Sequence, residues 1–201
     1  MKISKRSKKL VRTPNKKRFL RKLLIVCEGT KTEPNYFRHF PENPEVYDIL
    51  DIYGTGDNTL NIVKKAIELR DQAEDKGEPY IETWAVFDKD DFQHFEEAIR
   101  LAITSKIHCA YSIECFEIWY LLHFNYYDTV LSRNDYFKKL SQLLKQPYEK
   151  NNEKMYSLLI KRVKTAIKNA STLYSRQCNK PFSEQNPITL VFKLVQRLMV
   201  L

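Results

Sequence analysis

The chain has no run approaching the ~20 apolar residues that a bilayer-spanning helix requires, so no membrane span is expected. Its N-terminus is basic but lacks the apolar core of a secretory signal, and a cytoplasmic location is the resulting expectation. Cysteine is scarce and scattered. The four residues Cys27, Cys109, Cys115 and Cys178 form no C-x-x-C pair, which argues against a zinc site and against a disulfide framework. Cys27 and Cys109 lie in strand-like runs and read as buried thiols. No Ser/His/Asp constellation is visible. His39, His94 and His108 have no partners at ligand spacing, and His123 sits in an apolar run that marks it as a core residue. Gly54-Thr55-Gly56 lets backbone approach a phosphate, but the rest of a Walker or Rossmann fingerprint is missing. There is no internal repeat and no linker long enough to separate two folded domains.

Acidic residues are absent from one end. Residues 1–22 hold 11 Lys/Arg and no Asp/Glu, whereas residues 23–201 hold 23 basic and 25 acidic residues. The formal charge of +9 therefore comes from the leader. We divide the chain into a basic tail, residues 1–21, and one domain, residues 22–201, which is long enough for a proper core. Lys8, Lys9, Arg12, Lys16, Lys17 and Arg18 of the tail are candidates for salt-dependent contacts to nucleic-acid phosphates. A solvated tail without such a role is the alternative reading.

What is present is an alternation of strand and helix patterns. Lys22–Cys27, Val46–Tyr53, Glu82–Phe87 and Ile107–Ile113 read as strands. Between them, Thr32 can cap a short helix with Pro34 in its first turn. A second helix carries Leu60, Val63, Ala66, Ile67 and Ala73 on one stripe, and a third runs from about Phe92 to Ile103, with Asp91 as its cap. The pattern predicts an α/β fold: a mainly parallel sheet flanked by helices. A C-terminal helical portion follows. Phe116–Phe124 is apolar nearly all round and reads as a buried helix. Helices are expected at about 133–145, 153–174 and 187–200, the last started by Asn186-Pro187 as cap and first-turn pair.

Two of these strands deliver carboxylates at their C-terminal ends, the edge where open α/β sheets bind ligands. Glu28 ends Leu23-Leu24-Ile25-Val26-Cys27, and Asp88-Lys89-Asp90-Asp91 ends Trp84-Ala85-Val86-Phe87. On extended backbone, Asp88 and Asp90 point to the same side, where they repel unless a cation joins them. Hard oxygen ligands without His or Cys suit Mg²⁺ or Mn²⁺. Should the first and third strands be neighbours, Glu28 faces the pair and can serve as general acid/base. The bland reading is an acidic loop capping the next helix. Glu117, at the start of an otherwise apolar helix, must meet a cation, a metal or a donor if buried. Lys31 follows the first strand closely enough to steady a phosphate or a leaving oxygen, and is otherwise a surface lysine. Lys161, Lys164 and Lys168 share a helix face with Arg162 beside them, a pattern that either tracks a nucleic-acid backbone or faces solvent.

Three segments, in order, resemble the RloB-like family, whose core looks like a Toprim domain. They are Leu24-Ile25-Val26-Cys27-Glu28-Gly29-Thr30-Lys31-Thr32-Glu33-Pro34-Asn35-Tyr36-Phe37, Val86-Phe87-Asp88-Lys89-Asp90, and Cys115-Phe116-Glu117-Ile118-Trp119-Tyr120-Leu121-Leu122-His123-Phe124. Asn186-Pro187-Ile188-Thr189 looks similar too. The resemblance implies a Toprim-like fold, with Glu28, Asp88 and Asp90 in the positions that bind Mg²⁺ and handle protons during phosphodiester cleavage. It also implies a nuclease effector associated with phage defence, often beside an AAA-type ATPase. On this reading Glu28 and Lys31 are catalytic, and Asp88, Asp90 and Glu117 hold the metal. Ser112-Ile113-Glu114 departs from the Ser-Asn-Pro expected before Cys115. The alternatives are a non-catalytic subunit that binds nucleic acid or the ATPase, and a HAD-type phosphohydrolase. The latter would want a small hydroxyl or apolar residue where Asp91-Phe92 stand.

Overall fold

The computed structural model describes residues 20–89 and 94–199. The tail cations from Lys8 to Arg18 lie outside the described residues, as do Asp90, Asp91 and Phe92. Five strands form one sheet: β1 (Lys22–Cys27), β2 (Ile49–Gly54), β3 (Tyr80–Asp88), β4 (His108–Ile113) and β5 (Ile188–Thr189). Their order is β2-β1-β3-β4-β5. The first four are parallel, and β5 pairs antiparallel with β4. Parallel neighbours need crossovers, and these are α1 (Thr32–Arg38), α2 (Thr59–Asp75) and α3 (Phe95–Thr104). β1 is flanked on both sides, and Leu23 through Cys27 are fully buried. That explains why it reads as an unbroken apolar run rather than an alternating one. The expected α/β architecture is therefore present.

The helical portion comprises α4 (Glu117–Leu122), α5 (Arg133–Leu144), α6 (Met155–Leu159) and α7 (Val163–Gln177), and α8 (Val191–Met199) follows β5. All six residues of α4 are buried, as its apolar composition predicts. α5 starts at Ser132, whose side chain accepts the Asp135 backbone N–H, and its stop is Lys145 in the left-handed region.

Several sequence expectations need correction. β2 starts at Ile49 rather than Val46: Val46 and Tyr47 are buried, but they lie in a turn whose backbone N–H groups bond to the Asn43 carbonyl. Thr32 does not cap α1. Lys31 holds the cap position, and the Thr32 hydroxyl donates instead to the Lys150 carbonyl at 2.7 Å. α3 begins at Phe95, with His94 at its cap position. The helix expected over 153–174 is interrupted by a 3₁₀ turn at Ile160–Arg162. Asn186-Pro187 does not start the last helix. Its peptide bond is cis, β5 follows, and α8 begins at Val191. The Ile113–Glu114 bond, within the segment that departs from the resemblance, is also cis.

Candidate active site at the reversal of strand order

From β1 the chain goes first to β2 on one side, then crosses to β3 on the other, so strand order reverses between β1 and β3. In doubly wound sheets the crevice beyond the strand ends at that reversal is where ligands sit. Glu28 and Asp88 occupy it. The register pairs Cys27 with Val86, the Glu28 N–H donates to the Val86 carbonyl at 2.9 Å, and the Asp88 N–H donates to Glu28 Oε2 at 3.1 Å. The loop after β2 closes over the other side, where the Gly56 N–H donates to the Glu28 carbonyl at 2.8 Å. Gly54 makes this approach possible. A Cβ there would stand 2.6 Å from the Gly29 carbonyl oxygen and 2.9 Å from Thr30 Cα.

The resulting open cleft, of about 370 Å³, is lined by Glu28, Glu33, Asp88, Arg133 and Lys150, with Gly29, Asp57 and Asn58 between them. Glu33 is an acid that the sequence reading did not single out. It is 5 % exposed, and its Oε2 has no hydrogen-bond partner among the described residues. Its carboxylate packs against Gly29, where a Cβ would come within 2.0 Å of Oε2. Glu117 lies behind the cleft. It is 1 % exposed, and the Tyr148 hydroxyl donates to its Oε1 at 2.8 Å. A donor thus meets the requirement placed on it by burial. Lys31 is exposed and does not line the cleft. A larger concavity of about 620 Å³, along the free edge of β2, contains none of these four acids.

The acids perturb one another. The Asp88 carboxyl is pushed well above the usual carboxylate range, first by loss of water and then by the charges of Glu33, Glu117 and Glu28, against a hydrogen bond from the Phe116 backbone N–H. Glu33 is raised too, first by burial and then by Glu117, while its own backbone N–H, Lys150 and Arg133 oppose the shift. Burial and the Glu117 charge hold Tyr148 firmly in its protonated, donating form. Burial and the same acids keep the Cys115 thiol from ionising. Among the described residues, no three His, Cys, Asp or Glu side chains are disposed to hold a metal ion.

The expected juxtaposition of Glu28 with the end of the third strand is therefore present, and Glu33, Arg133 and Lys150 join it. Glu33 follows Glu28 by one short turn, but it reads as an acid favoured by the start of a helix. Arg133 and Lys150 come from the helical portion, and nothing in their local sequence points to the cleft.

This arrangement defines an α/β protein with a carboxylate-rich crevice at the strand-order reversal. The family described as RloB-like protein matches residues 23–198, and the chain belongs to that family. No curated protein and no solved structure matches the chain. Among the described residues, no helix is long and apolar enough to cross a membrane.

Proposed function

We propose that the protein is a divalent-metal-dependent nuclease with a Toprim-like core, cleaving phosphodiester bonds in DNA or RNA as the effector of an anti-phage system that includes an AAA-type ATPase. The observation that carries this reading is the convergence of Glu28, Glu33 and Asp88 on one cleft at the ligand edge of the sheet, with buried Glu117 behind it. Concentrating like charges where water is scarce is unfavourable unless a cation offsets it. An all-oxygen donor set fits Mg²⁺ or Mn²⁺, and the unpartnered Glu33 Oε2 provides a further hard ligand. Asp88 and Asp90 would hold the ion, with Glu33 or Glu117 as additional carboxylates. When bound, such an ion would polarise a phosphoryl oxygen and neutralise developing charge. Glu28, which already positions the Asp88 backbone, would move the proton of the attacking or leaving oxygen. Lys150 and Arg133 at the rim would orient the phosphate, while Lys31 and the basic tail would reach phosphates outside the cleft. Because Asp88 must give up its proton to bind the ion, affinity for Mg²⁺ should rise with pH.

The test is incubation of the purified protein with labelled DNA, RNA and tRNA in Mg²⁺ or Mn²⁺, beside Asp88→Asn and Glu28→Gln. Both variants should lose cleavage, and Asp88→Asn should unfold at higher denaturant because an acid that is costly to bury, whether charged or held protonated, is gone. Equal cleavage by wild type and Asp88→Asn refutes the assignment.

One observation favours a second reading, a non-catalytic subunit that binds nucleic acid or the ATPase: Glu28 accepts the Asp88 backbone N–H and Glu117 accepts the Tyr148 hydroxyl, structural roles for two of the acids. It predicts binding without turnover, and phage protection unaffected by Glu28→Gln.

A further inference from the structure

The near-neutral charge of the body conceals a division. Residues 131–183 contain twelve Lys/Arg and three Asp/Glu, whereas residues 23–130 and 184–201 together contain eleven Lys/Arg and twenty-two Asp/Glu. The helical portion is therefore a cationic block set against an acidic α/β block. Within it, residues 155–183 contain no Asp or Glu at all. Along α7 and the turn before it, Val163, Ala166, Ile167, Ala170 and Leu173 face the core, and Lys161, Arg162, Lys164 and Lys168 are exposed. Among the described residues, no carboxylate pairs with Lys161, Lys164 or Lys168, although Lys22 and Lys65 elsewhere each hold an acid within 4 Å.

A second, independent feature adjoins this face. The loop between α4 and α5 presents three half-buried aromatic residues within four positions, Phe124, Tyr126 and Tyr127. Each carries a cation over its ring: Arg162 at 4.6 Å from Phe124, Arg176 at 5.2 Å from Tyr126, and Lys139 at 5.5 Å from Tyr127. Arg176 also pairs with Asp128 at 2.9 Å. Each ring is half-buried against the core with a cation over it, so a base would stack on the exposed side of the ring–cation pair, guanidinium planes included, while the neighbouring lysines meet phosphates. A paired duplex hides its base faces, so the rings favour an unpaired strand.

We infer that the outer face of α7 and the aromatic loop 124–127 form a binding surface for single-stranded nucleic acid, with Lys161, Lys164 and Lys168 on the backbone and the loop's ring–cation pairs under the bases. The surface is separate from the acidic cleft. Glu117 begins α4 and Phe124 follows its end, an offset of about 10 Å at ~1.5 Å per residue.

The test is fluorescence anisotropy of the full chain with labelled oligo(dT), oligo(U) and a duplex, in EDTA, across a range of salt. Working without metal separates this inference from the nuclease proposal, which cleavage in Mg²⁺ tests. The basic tail contributes equally to every variant. Replacing Lys161, Lys164 and Lys168 together by Gln should weaken single-strand binding and lower the slope of log affinity against log salt by about 2, since each contact to a single strand adds about 0.7. Tyr127→Leu should weaken binding about tenfold and leave the slope unchanged. The three lysines are exposed and Tyr127→Leu keeps an apolar side chain where the half-buried ring meets the core, so near-unaltered melting temperatures would show both variants folded. Unchanged affinity and slope in the triple variant would overturn the inference. So would polyglutamate competing as well as oligo(U) while Tyr127→Leu binds normally, which would assign the face to an acidic protein.

Discussion

Acidification should remove about 3 kcal/mol of stability through a single residue, His123. It is 1 % exposed at the end of α4. Its Nδ1–H donates to the Trp119 carbonyl at 2.8 Å, its Nε2 has no partner among the described residues, and the Trp119 ring stands edge-on at 4.8 Å. Protonation would place a cation and an unsatisfied N–H in a dry site, with Arg162 opposing it further. The ring's pKa is accordingly lowered to about 4, chiefly by burial. An unfolded histidine titrates near 6.5, so below that pH the unfolded chain binds a proton that the folded chain refuses. The contribution is fully present above pH ~6.5 and is lost as pH falls toward 4. The linkage relation gives about 2 kcal/mol lost by pH 5 and about 3 kcal/mol by pH 4. Asp88 and Glu33 act in the opposite direction: with folded-state values above the unfolded ones, they take up protons in the native state and favour it as pH falls. The assay must therefore isolate the histidine. Urea unfolding of wild type and His123→Phe between pH 7.5 and pH 4 does so, because the carboxylates are common to both and the lost Nδ1 bond is a pH-independent offset. The wild-type curve should fall more steeply by about 3 kcal/mol over that range. Parallel curves would refute the reasoning.

Two further substitutions probe the cleft walls. Gly54→Ala should destabilise by about 3 kcal/mol and Gly29→Ala by about 1 kcal/mol, because the first collides with backbone and the Pro34 ring, and the second mainly with the Glu33 carboxylate; the reverse order of urea midpoints would count against the packing described. Tyr148→Phe removes the hydroxyl donor to buried Glu117 and should cost about 1.5–3 kcal/mol, read as a fall in melting temperature of several degrees. No fall would mean that water replaces the hydroxyl there.

The features that the sequence made legible are those fixed by near neighbours. β1 and α4 announce themselves because a segment buried on every side is apolar at every position. Where reading failed, tertiary packing had reproduced a local signal. Val46 and Tyr47 look like strand residues because they are buried, yet the Tyr47 hydroxyl and the turn carbonyls hold them off the sheet. The α6–α7 break is invisible because Leu159 and Val163 keep the apolar spacing across the 3₁₀ turn. β5 is two residues long, too short for any period to register. In the site, the places of Glu28 and Asp88 followed from strand ends. Glu33 did not, because its surroundings include a glycine four residues earlier and Glu117, Arg133 and Lys150 far along the chain.

The α4 rod works as a ruler. With all six residues enclosed by neighbours, it has no room to swing or roll. Its start is anchored at the carboxylates and its finish at the aromatic loop. Inserting one residue would advance that loop by ~1.5 Å and turn it by about 100°, carrying Phe124 away from Arg162. The chain has thereby built a constant spacing between two surfaces of opposite charge, and its length is encoded in about 1.7 helical turns.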